Sequence, residues 1–302
     1  MNKKVLRRVA AVGITSLIAV GSVAMFAGCT QSNNPEVTIT YSFNGEDYEV
    51  DYILSRSDAP MTVQHFIELA DAGFYDGLVV HDYQDYTLKS GGYRLTNGAL
   101  EEVNYLEAVK ALEAEKDVTF TQSVWADEER TVPLYSVYGE FSANGVEQEY
   151  GKQYAHSAGA LVMYYTQKKE AGGTDEQVWV QRADGGADND GNAYQQLGYE
   201  YNSITSLFYT FTGESRSEAD AKYCVIGKAK DYTEQMTNGL LAAISDYEDT
   251  LDEEDSFTTS LKNQKLNAYD YFRSAQTAGL TADYETPIDM PIVVKSVKVT
   301  KY

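Results

Sequence analysis

The chain has 302 residues, with 43% apolar and 12% aromatic content, enough for a sizeable core, and it sets 24 Lys+Arg against 46 Asp+Glu. The resulting net charge of −22 repels phosphates and anionic headgroups, which excludes nucleic-acid binding through a basic patch. Two cysteines, Cys29 and Cys224, are too few for a disulfide framework or a zinc cluster.

The first segment reads as an address. Lys3, Lys4, Arg7 and Arg8 form a basic stretch, and Val9 to Phe26 is an apolar run too short and too rich in Gly and Ser for a comfortable membrane span. It ends in Phe26-Ala27-Gly28-Cys29 and a polar stretch to Pro35. This resembles a bacterial lipobox, in which two small residues precede the cysteine that takes the lipid; Phe26 stands where leucine is usual. The expectation is a lipoprotein signal peptide over 1–28, lipid on Cys29, and a tether over 29–36. The chain would then be exported and lipid-anchored to the extracytoplasmic face of a bacterial membrane. Ordinary cleavage and an uncleaved anchor are the alternatives.

From Val37 to Phe43 the apolar residues alternate with period two, as in a half-buried strand. Asn44-Gly45 is a strong hairpin signal, and Tyr48, Val50, Tyr52 and Leu54 continue the alternation on the return. The period then changes: Val63, Phe66, Ile67 and Ala70 share one helix face, with Pro60 to start it and Gly73 to end it. Further strands are predicted at 159–165, 206–212, 223–226 and 292–299, which points to an antiparallel barrel or sandwich. The 25 tyrosines suit both half-buried strands and adhesive surfaces, and their alternation favours strands. Cys224, in an apolar run, reads as a small core residue.

Three long stretches interrupt this pattern. The first, 99–131, carries an amphipathic helix signal around Val103, Leu106, Val109 and Leu112. The second, 166–202, is polar and rich in Gly and Asp, and reads as a mobile loop. The third, 232–283, holds one or two helices, with Met236, Leu240, Leu241 and Ile244 on one face, then an acidic run at Asp249–Asp255 that reads as a solvated surface.

The blocks between these stretches resemble the cyclophilin family. Ala59-Pro60-Met61-Thr62-Val63 through Phe66 and Leu69, then Gly73-Phe74-Tyr75-Asp76-Gly77, is similar to that family's AP-x-TV-x-NF-x-x-L and G-x-YDG. Val80-His81 and Ser90-Gly91-Gly92 stand where the family has FHR and QGG, and Gly139-Glu140-Phe141 resembles its GEF. His156 to Met163, Ser206 to Tyr209, Tyr223 to Lys228 and Pro287 to Val299 continue the resemblance in family order. It covers about half of the chain beyond the leader. It implies a mainly β fold: a cyclophilin-like eight-stranded antiparallel β-barrel over 37–302, with capping helices and three inserted, partly helical segments.

The implied activity is cis–trans isomerisation of X-Pro peptide bonds, with no cofactor and no metal. In the family an arginine donates toward the prolyl nitrogen, a glutamine positions the carbonyl, and an apolar pocket holds the ring. Carried across, the arginine becomes Asp82, which when ionised only accepts hydrogen bonds. The pocket phenylalanine becomes Thr87 and the glutamine becomes Ser90. Candidate substrate-binding residues are Tyr86, Met163, Phe208, Tyr209 and Tyr223, and the remaining wall falls at Glu218 and Ala219. Arg94 is a candidate replacement for the missing cation.

Other motifs carry less. Asp184–Asn192 has the wrong ligand spacing for a calcium loop, and Gly145 to Lys152 the wrong spacing for a phosphate loop. His65, His81 and His156 all fall in fold-matching blocks and read as structural. Three functions stay open: an isomerase or folding helper acting on extracytoplasmic proteins with a degenerate site, a non-catalytic peptide-binding barrel, and an assembly lipoprotein. The expected partners are proline-containing peptides or folding proteins, and a membrane through the lipid. Cys29→Ser should move the protein from the membrane to the soluble fraction; unchanged fractionation would remove the lipid anchor.

Overall fold

The alternation from Val37 produces β1 (Glu36–Phe43) and β2 (Glu46–Leu54), paired antiparallel through Asn44-Gly45, both at positive φ. The computed structural model describes residues 32–84, 86–146, 156–165, 176–181, 187, 191–213, 223–265 and 281–302. The leader, Cys29, Glu218, Ala219, most of the 184–192 motif and the end of the 145–152 motif lie outside the described residues. Val37, Ile39, Tyr41 and Phe43 are buried on one side together with Val50, Tyr52 and Leu54. α1 (Pro60–Asp71) follows with proline in its first turn, burying Val63, Phe66, Ile67, Leu69 and Ala70.

The chain then enters β3 (Leu78–Val79) and β4 (Asp82–Gln84), turns into β5 (Thr87–Ser90), and makes a small hairpin from β6 (Tyr93–Thr96) and β7 (Ala99–Glu102). α2 (Tyr105–Lys116) lies where the amphipathic signal placed a helix. Asn104 caps it by accepting from Glu107 N–H, and Tyr105 and Val109 are buried. Next come β8 (Val124–Trp125), β9 (Ala160–Met163), β10 (Gln177–Gln181), β11 (Tyr194–Gly198), β12 (Phe208–Phe211) and β13 (Cys224–Ala229). A π-helical stretch (Tyr232–Leu241) runs into α3 (Ala242–Glu248), burying Met236, Leu240 and Ile244 as their spacing predicts. The chain closes with β14 (Thr259–Lys265), β15 (Thr281–Thr286) and β16 (Val293–Lys301).

Nine strands form one antiparallel sheet in the order β3-β16-β1-β2-β13-β9-β12-β5-β4. Its two ends, β3 and β4, are halves of a single segment. Leu78 and Val79 pair with β16, Val80 N–H still reaches Ile292 O, and from His81 onward the bonds go to β5. The sheet therefore curls back on itself, and with 78–84 taken as one interrupted strand it has the expected eight. The inside is filled by the β1–β2 residues, α1, and Leu88, Leu161, Met163, Phe208, Cys224 and Ile226. Gly91 shows how tightly the strands are held: it sits at φ +97°, and a Cβ there would meet Ser206 O at 2.1 Å. A glycine at this point of the Ser90-Gly91-Gly92 block is a steric requirement.

One expectation is corrected and another extended. The stretch 166–202 is not a loop throughout, since β10 and β11 lie in it and pair with β8 from the first insertion as a three-stranded sheet. This sheet has its own core of Val124, Leu134, Tyr138, Val178, Val180 and Tyr199. The polar composition hid Val178 and Val180, whose alternation is only two residues deep. Likewise, the third insertion holds, besides its helical stretch, the paired strands β14 and β15; seven mostly polar residues in β14 give little local signal, and its docking site supplies what propensity lacks.

Glu140, of the Gly-Glu-Phe block, is buried at the start of α1. It accepts from Met61 N–H at 3.2 Å, from Thr62 N–H at 2.8 Å and from Thr62 Oγ1 at 2.8 Å, so it caps a helix whose own N-cap residue, Ala59, has no side-chain acceptor. Burial raises its pKa against the pull of these bonds. Glu140→Ala, which orphans those donors, should cost about 2–3 kcal/mol and Glu140→Gln about half that, read as shifts in urea midpoint.

Candidate functional site

Strand register sorts the predicted site residues into two rows. Residues directly opposite in antiparallel strands project to the same side, and successive residues project to opposite sides. One row runs Ser90, Phe208, Met163, Cys224 across β5, β12, β9 and β13. All four are fully buried, and Phe208 packs edge-on against Phe66 and Tyr75. Met163 and Phe208 thus fill the interior, and Ser90 Oγ donates to Val79 O at 2.9 Å across the barrel wall.

The other row runs Asp82, Lys89, Tyr209, Val162, Val225 across β4, β5, β12, β9 and β13. It lies on the outer face, where Ala160, Val162, Tyr209, Phe211 and Val225 form a separate apolar cluster bordered by Ile53, Tyr164 and Tyr223. Tyr209 is its centre. Its hydroxyl hydrogen-bonds His156 Nε2 at 3.0 Å, and its ring meets Tyr164 at 5.8 Å and Tyr223 at 6.0 Å. Tyr223 stacks on Tyr165, which in turn packs edge-on against Tyr201. Burial, and after it the neighbouring Tyr284 and Asp82, raise the pKa of the Tyr164 hydroxyl well above its usual value.

Thr87 opposes Phe211 at the margin of this face and donates to Gln84 O at 2.8 Å, closing the β4–β5 turn. Tyr86, at positive φ in that turn, is 65% exposed. The structure therefore brings together Asp82, Thr87, Tyr86, Tyr209 and Tyr223, and sets Ser90, Met163 and Phe208 on the other side of the sheet. Arg94 serves elsewhere: its guanidinium donates to Asp76 O at 2.9 Å, in the turn before β3. Counting parity outward from Tyr209 along each strand finds Lys89, Tyr164 and Tyr223, the first two of which the motif comparison passes over.

Asp82 has a complete set of partners. Lys89 Nζ donates to Oδ2 at 2.7 Å, while Gln84 Nε2 at 2.7 Å and Glu285 N–H at 3.0 Å donate to Oδ1. Glu285 lies on β15, so this carboxylate holds the inserted hairpin against β4. Next to it, Thr286 Oγ1 donates to His81 O at 2.6 Å, and Tyr284 packs on His81 and Tyr93. Among the described residues no group of His, Cys, Asp and Glu is placed to hold a metal ion, and no helix is long and apolar enough to cross a membrane. What the face offers is aromatic surface, tyrosine hydroxyls and, directly opposite Tyr209, the Lys89 ammonium.

Comparison with known proteins meets this geometry. The sequence model of the family described as "Cyclophilin type peptidyl-prolyl cis-trans isomerase/CLD" matches residues 38–176. Residues 38–176 are thus similar to a cyclophilin-type domain. The barrel is completed by β12, β13 and β16, beyond the matched residues. No curated protein matches the chain in sequence. Among solved structures, a cyclophilin-type peptidyl-prolyl cis-trans isomerase of Cryptosporidium parvum is 12% identical, with a TM-score of 0.39 over 89% of this chain and 99% of that one. The same protein in the presence of the dipeptide Ala-Pro gives 13%, 0.38, 88% and 99%. The Mimivirus cyclophilin gives 14%, 0.38, 76% and 86%.

The cyclophilin-type barrel buries two of its histidines in neutral form. Burial lowers the His65 pKa to about 4, and burial followed by the Lys89 charge lowers that of His81 to about 3. Both lie below the unfolded value of about 6.5, so the unfolded chain binds more protons between these limits. Their contribution is complete above pH 6.5 and is lost as the pH falls toward 4. Glu140, with its raised pKa, works in the opposite sense. Unfolding at pH 5 should show a loss of about 2 kcal/mol per histidine relative to pH 7.5, and His65→Gln should flatten the slope.

Proposed function

We propose that this chain is an exported, lipid-anchored cyclophilin-type isomerase or folding helper that holds proline-containing segments of extracytoplasmic proteins on its Tyr209 face. The observation that carries this reading is the outer row through Lys89, Tyr209 and Val162, flanked by Tyr164 and Tyr223. A proline ring is compact, apolar and weakly hydrated, and aromatic rings on a rigid sheet are its natural partners. X-Pro rotation is slow because amide resonance must break, with a barrier of about 18–20 kcal/mol, and no nucleophile or metal is needed to lower it. Positioning and hydrogen-bond donors aimed at the rotating amide are enough.

The satisfied carboxylate of Asp82 favours a second reading, a barrel that binds such peptides without accelerating them. Loss of one oriented donor costs about 10²–10³ in rate, and Asp82 has no donor to offer. The two readings share a binding face and differ in turnover, so exchange spectroscopy on a short Ala-Pro peptide separates them. Tyr209→Ala should weaken peptide binding about tenfold or more, as expected for removing the central ring of the cluster. Asp82→Arg should lower stability by about 2–4 kcal/mol without raising the rate, because it removes three accepted bonds and sets a cation beside Lys89. A stable, faster Asp82→Arg protein would instead mean that the arginine is the only missing part.

A further inference from the structure

A cation stands one strand over from Asp82 on this face. Asp82 and Lys89 are direct cross-strand partners on β4 and β5, and Lys89 is in turn opposite Tyr209 on β12. The lysine therefore stands between the carboxylate and the aromatic centre. Its side chain is 32% exposed, whereas that of Asp82 is 1% exposed. The acid is sealed beneath Gln84 and the Glu285 amide, and the ammonium is the member of the pair that an arriving molecule can reach.

The chemistry fits the position. Rotation about an X-Pro bond takes the nitrogen lone pair out of conjugation, and a donor reaching that lone pair favours the twisted state over both planar ones. An ammonium has three N–H groups that rotate freely; one is given to Asp82 Oδ2, leaving two. No covalent bond forms or breaks in this step and no proton is transferred. Asp82 fixes where the ammonium sits, and its negative charge makes the pair weaker toward substrate than a lone guanidinium.

We propose that Lys89 is the catalytic donor of this site, in the place an arginine would fill, with Asp82 as its positioning residue. The proposal rests on the reading that the Tyr209 face takes proline-containing peptides. The test uses the full chain and a short Ala-Pro peptide, with the rate from exchange spectroscopy and Kd from peptide-induced shifts measured on the same samples. Lys89→Met should lose about 10²-fold in rate with Kd changed by less than about threefold, and Lys89→Arg should keep the rate within about tenfold of the native chain. Lys89→Gln, which can still donate to Asp82, guards against misfolding and should lose the rate as Met does. Lys262→Met, on the hairpin and paired with Asp283, should change nothing. Native-like turnover by Lys89→Met or Lys89→Gln would overturn the assignment. Peptide binding without acceleration by the native chain would also overturn it while leaving the binding face intact. No binding at all would remove the reading of the face, and Lys89 with it.

Discussion

Segment 78–84 serves both ends of the sheet, and the arrangement of the molecule follows from that double use. Its first residues pair with β16 and its last with β5, so the sheet curls round to give an inside and an outside. The inside is packed with Phe66, Tyr75, Met163 and Phe208, and the apolar cluster around Tyr209 lies on the outer face. Parity along each strand then decides which side chains lie there. Tyr209 faces out because Phe208 faces in. Lys89 faces out because Leu88 is buried.

The same closure explains how an inserted hairpin came to depend on the site. β4 ends the sheet beside β5 and has a second flank, which β15 covers. A carboxylate at position 82 suits this flank, since it accepts from the Glu285 amide as well as from Lys89. An arginine there would have no acceptor to offer the Glu285 amide. The carboxylate at position 82 and the docking of the hairpin are therefore linked through the Glu285 amide.

Much of the barrel was legible in the sequence. The alternation around Asn44-Gly45, the helix face at Val63-Phe66-Ile67-Ala70 and the strands at 159–165 and 206–212 are local signals that burial reinforces. The site was less so. Family motifs marked Met163 and Phe208 together with Tyr209, although a two-residue period places neighbours on opposite faces. Lys89 carried no motif, and its meaning arises only from the partner across the strand. The capping of α1 by Glu140 and the docking of β15 link residues separated by about eighty and two hundred positions, which no local pattern records. The short apolar pair Val178 and Val180 became a core only because Val124, from another insertion, and Leu134, just beyond it, pack against them.

That last sheet has a consequence for the size of the molecule. β8 comes from one insertion and β10 and β11 from another, so each covers apolar surface that the other would expose. Neither stretch can be deleted by itself without leaving an open strand edge and an uncovered patch. The two insertions, distant in sequence, are therefore coupled through one sheet and one small core, which Leu134 and Tyr138 of the chain between them complete.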